Sequence, residues 1–156
     1  PPLALSRAPS VIAAGPDGSC PLSYPLLVQP VLDRLCVRCH NTDKAGGDVR
    51  LTGEPDAGFS VSYNALARRV PYPEWQGGDF RVTNDEPLTH PDRFGARVSP
   101  LLDALLKGHH EVDLSADDLS RLITWMDANA LFYGTFNPAD QERQLRGESI
   151  AGPDVE

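Results

Sequence analysis

The segment Cys36-Val37-Arg38-Cys39-His40 carries the most specific chemistry in this chain. Thiols at i and i+3 stand roughly one helical turn apart, the separation needed to reach the two vinyl groups on one edge of a porphyrin. A histidine directly after the second cysteine meets the iron from one face through an imidazole nitrogen. Cys-x-x-Cys-His is the attachment signature of haem c, so the segment predicts one covalent haem on Cys36 and Cys39, with His40 as the first axial ligand. Two other chemistries use paired cysteines. A dithiol redox pair accompanies a βαβ pattern, which is not visible in this sequence. A zinc site needs four convergent ligands; Cys20, Cys36 and Cys39 supply three, and His40 is adjacent to Cys39, a poor position for a fourth. Three cysteines are an odd number, so no disulfide framework is expected. Cys20 is left over in a Pro/Gly/Ser-rich stretch and is expected to be dispensable for haem binding.

The other face of the iron has several candidates. The histidines are His40, His90, His109 and His110, and Met126 is the single methionine. Leu102, Leu105 and Leu106 define the apolar side of a helix that begins after Ser99. His109 continues that stripe at four residues from Leu105 and three from Leu106, so it is the preferred second ligand. His110 lies on the edge of the stripe, and a solvated helix end accounts for one of the two histidines. Met126 is in phase with Leu122 and Ile123 in mid-helix, where core packing is the better reading. His90 sits in a Thr-His-Pro loop, and an open iron position is the remaining alternative. Arg50, Arg68, Arg69 and Arg97 are candidate partners for haem propionates, and Trp75 and Trp125 read as packing residues before haem-lining ones.

The elements that must position these groups are helical. The first helix is predicted from Pro30, a residue tolerated at the first helical position; Val31, Leu32 and Leu35 share one side, and Asn41 to Gly47 read as the stop. One helical stretch is expected within Ser60–Val70, where Tyr63, Leu66 and Val70 are in phase. A second main helix is predicted from Ser99-Pro100, an N-cap followed by proline, with Gly108 at its end or at a local loosening. The third carries capping-box spacing at Ser115 and Asp118, then Leu119, Leu122, Ile123, Met126 and Ala130, with Gly134 as the stop. Strand signals are weak. The expected fold is mostly α: a small domain with about three to five helices and long irregular loops. Residues 1–24 read as an extended arm or linker, 25–136 as the domain, and 137–156 as a polar C-terminal tail that holds a short helix around Gln141–Leu145.

Composition narrows the function classes. The 156 residues suffice for one domain with a core. Fifteen prolines and 13 glycines fit the long connections. A formal charge of −8 disfavours nucleic acid, which needs a basic face, and permits a basic redox partner, although solubility alone accounts for it. No apolar run is long enough to cross a bilayer. No basic segment followed by an apolar stretch is visible, so no export signal is read; mature protein and excised domain are both open.

The residues from Val28 through Cys36-Val37-Arg38-Cys39-His40-Asn41, then Ser99-Pro100-Leu101-Leu102, Lys107-Gly108-His109-His110, and Leu122-Ile123-Thr124-Trp125-Met126-Asp127-Ala128-Asn129-Ala130 with Tyr133-Gly134-Thr135 resemble planctomycete-type monohaem cytochrome c domains. In particular they resemble the C-terminal cytochrome domain of proteins similar to the α subunit of hydrazine synthase. The resemblance covers about residues 25–136. It rests more on the Gly-His-His and Thr-Trp-x-Asp-x-Asn blocks than on the cysteine motif, which many cytochromes share. It implies a haem with two histidine ligands, mapping to His40 and His109, and Met126 stands where the family often has isoleucine. The family also contains a catalytic haem site with a tyrosine ligand and zinc, but Asn41 to Ser62 contain no tyrosine, so the likeness is to the electron-transfer domain. An oxidising, periplasmic or otherwise extracytoplasmic location follows from the same resemblance.

The expected function is one-electron transfer by a c-type cytochrome, either a carrier or a domain of a larger enzyme rather than an enzyme by itself, with a redox protein as partner. A two-histidine iron has a lower potential than one with a methionine ligand. The alternatives are a haem enzyme or gas-binding domain with an open distal position, and a structural module in which haem serves mainly as a folding nucleus.

Overall fold

A computed structural model describes residues 2–9, 11, 20–71 and 92–152. Among these residues the fold is mostly helical. Helices α1 (Tyr24–Leu27) and α2 (Gln29–Leu35) follow one another across Val28, and α3 (Val61–Leu66), α4 (Pro100–Leu106), α5 (Ala116–Asp127) and α6 (Pro138–Leu145) complete the set. Two-residue strands β1 (Pro55–Asp56) and β2 (Phe59–Ser60) pair antiparallel around a turn in which Ala57 and Gly58 take positive φ. Taking α1 and α2 as one bent helix gives five helices among the described residues, with long irregular connections, which is the mostly-α domain expected.

Pro30 accounts for the α1–α2 junction. It has no N–H to give to the carbonyl one turn back, so the helix is interrupted near Val28 rather than begun at Pro30. Tyr24, Leu27, Val28, Val31 and Leu32 are all buried along the combined element. The start therefore lies earlier than the proline alone predicts.

Helix α4 begins as expected, with the Ser99 hydroxyl accepting from Leu101 N–H at 3.3 Å. Helix α5 carries the full capping box: Ser115 Oγ accepts from Asp118 N–H at 3.1 Å, and the Asp118 carboxylate accepts from Ser115 N–H at 3.2 Å. It ends at Asp127, several residues before Gly134, because Asn129 and Ala130 turn into the left-handed region at φ 60° and 51°. Ala130 is still buried, as its apparent helical phase implies, but through that turn. Gly134 has a different role from a helix stop. It lies against the backbone of Pro21 and Leu22 so closely that a Cβ there would collide with it.

Residues 137–152, read in sequence as a polar tail, are part of the packed body. Asn137 caps α6 by accepting from Ala139 N–H at 2.9 Å. Gln144, only 1% exposed, donates to Leu22 O and accepts from Gly134 N–H, both at 3.0 Å. Its partners are backbone groups 122 and 10 positions away in the chain, which polarity and periodicity do not reveal. An aromatic cluster of Tyr24, Phe59, Tyr63, Trp125 and Phe132 fills the core on this side; the Tyr24 ring lies 5.2 Å from those of both Tyr63 and Trp125.

Candidate functional site

Helix α2 delivers the cysteine motif. After Leu35 the chain continues in hydrogen-bonded turns, with Cys36 N–H bound to Leu32 O at 2.8 Å and both Cys39 and His40 N–H bound to Cys36 O at 3.0 Å. These turns keep the near-helical spacing that sets the two thiols toward one cavity. The cavity is walled by Val31, Leu32 and Leu35 of α2, by Leu101 and Leu105 of α4, and by Leu122 of α5. Cys36, Cys39, His40, His109 and His110 all line it.

His40 is held from behind. Its Nδ1 lies 3.0 Å from Val49 O. A carbonyl only accepts, so Nδ1 donates to it, and Nε2 is the ring nitrogen left for a ligand. Ligating histidines commonly donate their second N–H in this way, which fixes the ring and raises its basicity. The loop that supplies Val49 is closed by Asn41, whose side-chain oxygen accepts from Asp43 and Lys44 N–H, and by Leu51 N–H bound to His40 O at 2.8 Å. Gly46 leaves room for the ring: a Cβ there would stand 3.3 Å from His40 Cε1.

His109 faces His40 across the cavity. Their ring centres are 5.9 Å apart and their planes 17° from parallel. Metal–imidazole bonds are about 2.0 Å and each nitrogen is about 1.1 Å from its ring centre, so two imidazoles on opposite sides of one ion have centres roughly 6 Å apart. The separation of the two ring centres matches that value. Burial, followed by the neighbouring His110 and His40 rings, holds His109 below the ordinary histidine range and favours the neutral, ligating form.

The route that brings His109 here differs from the one expected. Leu106 is 64% exposed, so the inner face of α4 consists of Leu101, Leu102 and Leu105. The helix ends at Leu106, and Gly108 at φ 94° breaks the phase. A tight turn then presents the ring, with Val112 N–H on His109 O at 2.9 Å. His110 and Glu111 both take positive φ in this turn. The His110 residue is exposed, with its ring edge-on to His109 at 4.7 Å.

The remaining candidates fall elsewhere. Met126 is fully buried beside Trp125 in the core and does not line the cavity. Trp125 donates to Leu131 O at 3.1 Å. His90 and Trp75 lie outside the described residues. Of the four arginines singled out from sequence, Arg69 lines the cavity, while Arg50, Arg68 and Arg97 are exposed. Arg38, inside the cysteine motif, lines it too. The cavity role of Arg38 and the carbonyl of Val49 were missed in sequence; a backbone acceptor has no residue-type signature.

The three cysteines are free thiols, and Cys20 lines a separate groove beside α2 and α5. Among the described residues no group of three or more His, Cys, Asp or Glu side chains is arranged as a metal-ion site, so the four convergent protein ligands of a structural zinc are not assembled there. Burial raises the Cys36 thiol above its usual range against the pull of Arg38. That is opposite to the depressed value of a reactive redox thiol. Among the described residues no helix is long and apolar enough to cross a membrane. Comparisons with family models, curated proteins and solved structures return no match.

Proposed function

We propose that this chain is a monohaem c-type cytochrome domain that carries single electrons. Cys36 and Cys39 would hold the porphyrin edge through thioethers, and His40 and His109 would ligate the iron from its two faces. The observation that carries this reading is the near-parallel His40–His109 pair, 5.9 Å apart, on the same apolar cavity as both cysteines of the attachment motif. When bound, haem c supplies an iron that changes oxidation state by one electron. The chain's own contribution would be to supply His40 and His109 as iron ligands, to line the site with leucine and valine side chains, and to fix the His40 ring through Val49 O. Two imidazole ligands leave no vacant position for substrate, which favours electron transfer over catalysis at the iron. A redox protein as partner and an oxidising, extracytoplasmic location accompany this reading.

The test is expression with a haem-attachment system, followed by mass spectrometry and absorption spectroscopy. The expected result is one added haem and a six-coordinate low-spin spectrum unaffected by CO. An unmodified mass with stoichiometric zinc would overturn the proposal. A CO-sensitive spectrum would favour an open-site haem enzyme or gas-binding domain instead.

A further inference from the structure

Gln29 lies on the inward face of α2, 8% exposed, where the neighbouring inward residues are Val31 and Leu32. A buried carboxamide is costly unless its polar groups are paired, and here they are. Its Nε2 donates to Asp33 Oδ1 at 2.7 Å and to Leu51 O at 3.1 Å. Its Oε1 accepts from the fully buried Ser62 hydroxyl at 2.6 Å. Ser62 lies 3.0 Å from the Ser60 hydroxyl, and its N–H donates to Thr52 O at 3.0 Å. Gln29 and Ser62 together therefore clasp residues 51 and 52 from two sides.

That stretch carries the support for His40. Leu51 N–H binds His40 O, and Val49, two residues earlier, accepts from His40 Nδ1. Residues 49–53 belong to no helix or strand themselves, so these bonds to α2 and α3 hold them in place. We infer that Gln29 is a positioning residue for the proximal ligand: by anchoring Leu51 it fixes the Val49 carbonyl, and so the orientation and basicity of His40. The inference rests on the haem reading above. A loosened Nδ1–H···O=C bond makes the imidazole a weaker donor to the iron. It then stabilises the ferric state less, and the midpoint potential rises.

The experiment compares holoprotein wild type, Gln29→Leu and Gln144→Leu by redox titration, electron paramagnetic resonance and thermal melting. Gln144 is the control: a buried amide that likewise clasps backbone groups, those of Leu22 and Gly134, away from the cavity. Gln29→Leu should keep a low-spin haem but shift the midpoint potential upward and move or broaden the ferric g values. Gln144→Leu should lower the melting temperature while leaving potential and g values at wild type. Unchanged potential and g values in Gln29→Leu, or equal shifts in both variants, would overturn the inference. If Gln29→Leu does not fold, Ser62→Ala, which removes only the donor to Oε1, must give a smaller shift in the same direction; no shift there also overturns it. Wild type without covalent haem would instead refute the underlying reading, at the first step.

Discussion

The imidazoles of His40 and His109 face each other at 5.9 Å although one follows α2 and the other follows α4. A metal atom bound by both would cross-link these two segments. Ligation would then add stability as well as tune the iron, because a ligand held only by the native fold stabilises it by linkage.

Removal of the distal ring gives the first prediction. His109→Ala should open one axial position, admit CO, turn the spectrum partly high-spin and lower the unfolding midpoint. His110→Ala should leave the spectrum unchanged, because His110 is exposed and stands beside His109 rather than opposite His40. The reverse pattern would make His110 the ligand. No spectral change in either variant would remove both and send the search to His90 or Met126.

Acid should weaken the fold through Asp118. Its carboxylate faces desolvation, which works against ionisation, but the Ser115 hydroxyl and N–H and the Arg34 guanidinium outweigh it and hold the group below the usual range. A depressed carboxylate contributes stability that is fully present above its unfolded value, about pH 4, and is lost as pH falls through the lower folded value. Asp118→Asn should therefore flatten the decline of the melting temperature below about pH 4. An acid limb of unchanged slope in the variant would refute the assignment.

Ser115→Ala tests the α5 cap at neutral pH. Losing this N-cap should cost about 1 kcal/mol, measured by urea titration. It should leave the haem spectrum intact, since Ser115 does not line the cavity. A loss of haem would mean that the start of α5 bears directly on the site.

The C-terminal docking is tested at Gly134. Gly134→Ala would drive a methyl into the Leu22 backbone, and overpacking of this kind costs about 1–3 kcal/mol. Chemical denaturation should read that loss, with the absorption bands unchanged. Wild-type stability in the variant would contradict the close contact of residues 21–22 with Gly134.

Cys20→Ser should leave haem content and spectrum as in wild type. Cys20 is exposed and lines a groove separate from the cavity. Loss of haem in this variant would revive a role for the third thiol.

Much of this protein was legible in its sequence because the signals are local. Cys36, Cys39 and His40 are neighbours, so their spacing alone predicts a shared target. The caps at Ser99 and Ser115 bond within their own first turn, and the apolar phase of α5 follows helical periodicity. The tertiary structure decided everything that joins distant segments or leaves the helical period. His109 reaches the cavity through a turn after Gly108, in positive-φ backbone that no helical wheel continues. Val49 supports His40 through a main-chain carbonyl, which any residue type would supply equally. Gln144 pairs with Leu22 and Gly134, drawing a polar helix into the body. Periodicity reports which side of an element is apolar; it carries no information on which distant backbone groups that side will meet once the chain has folded.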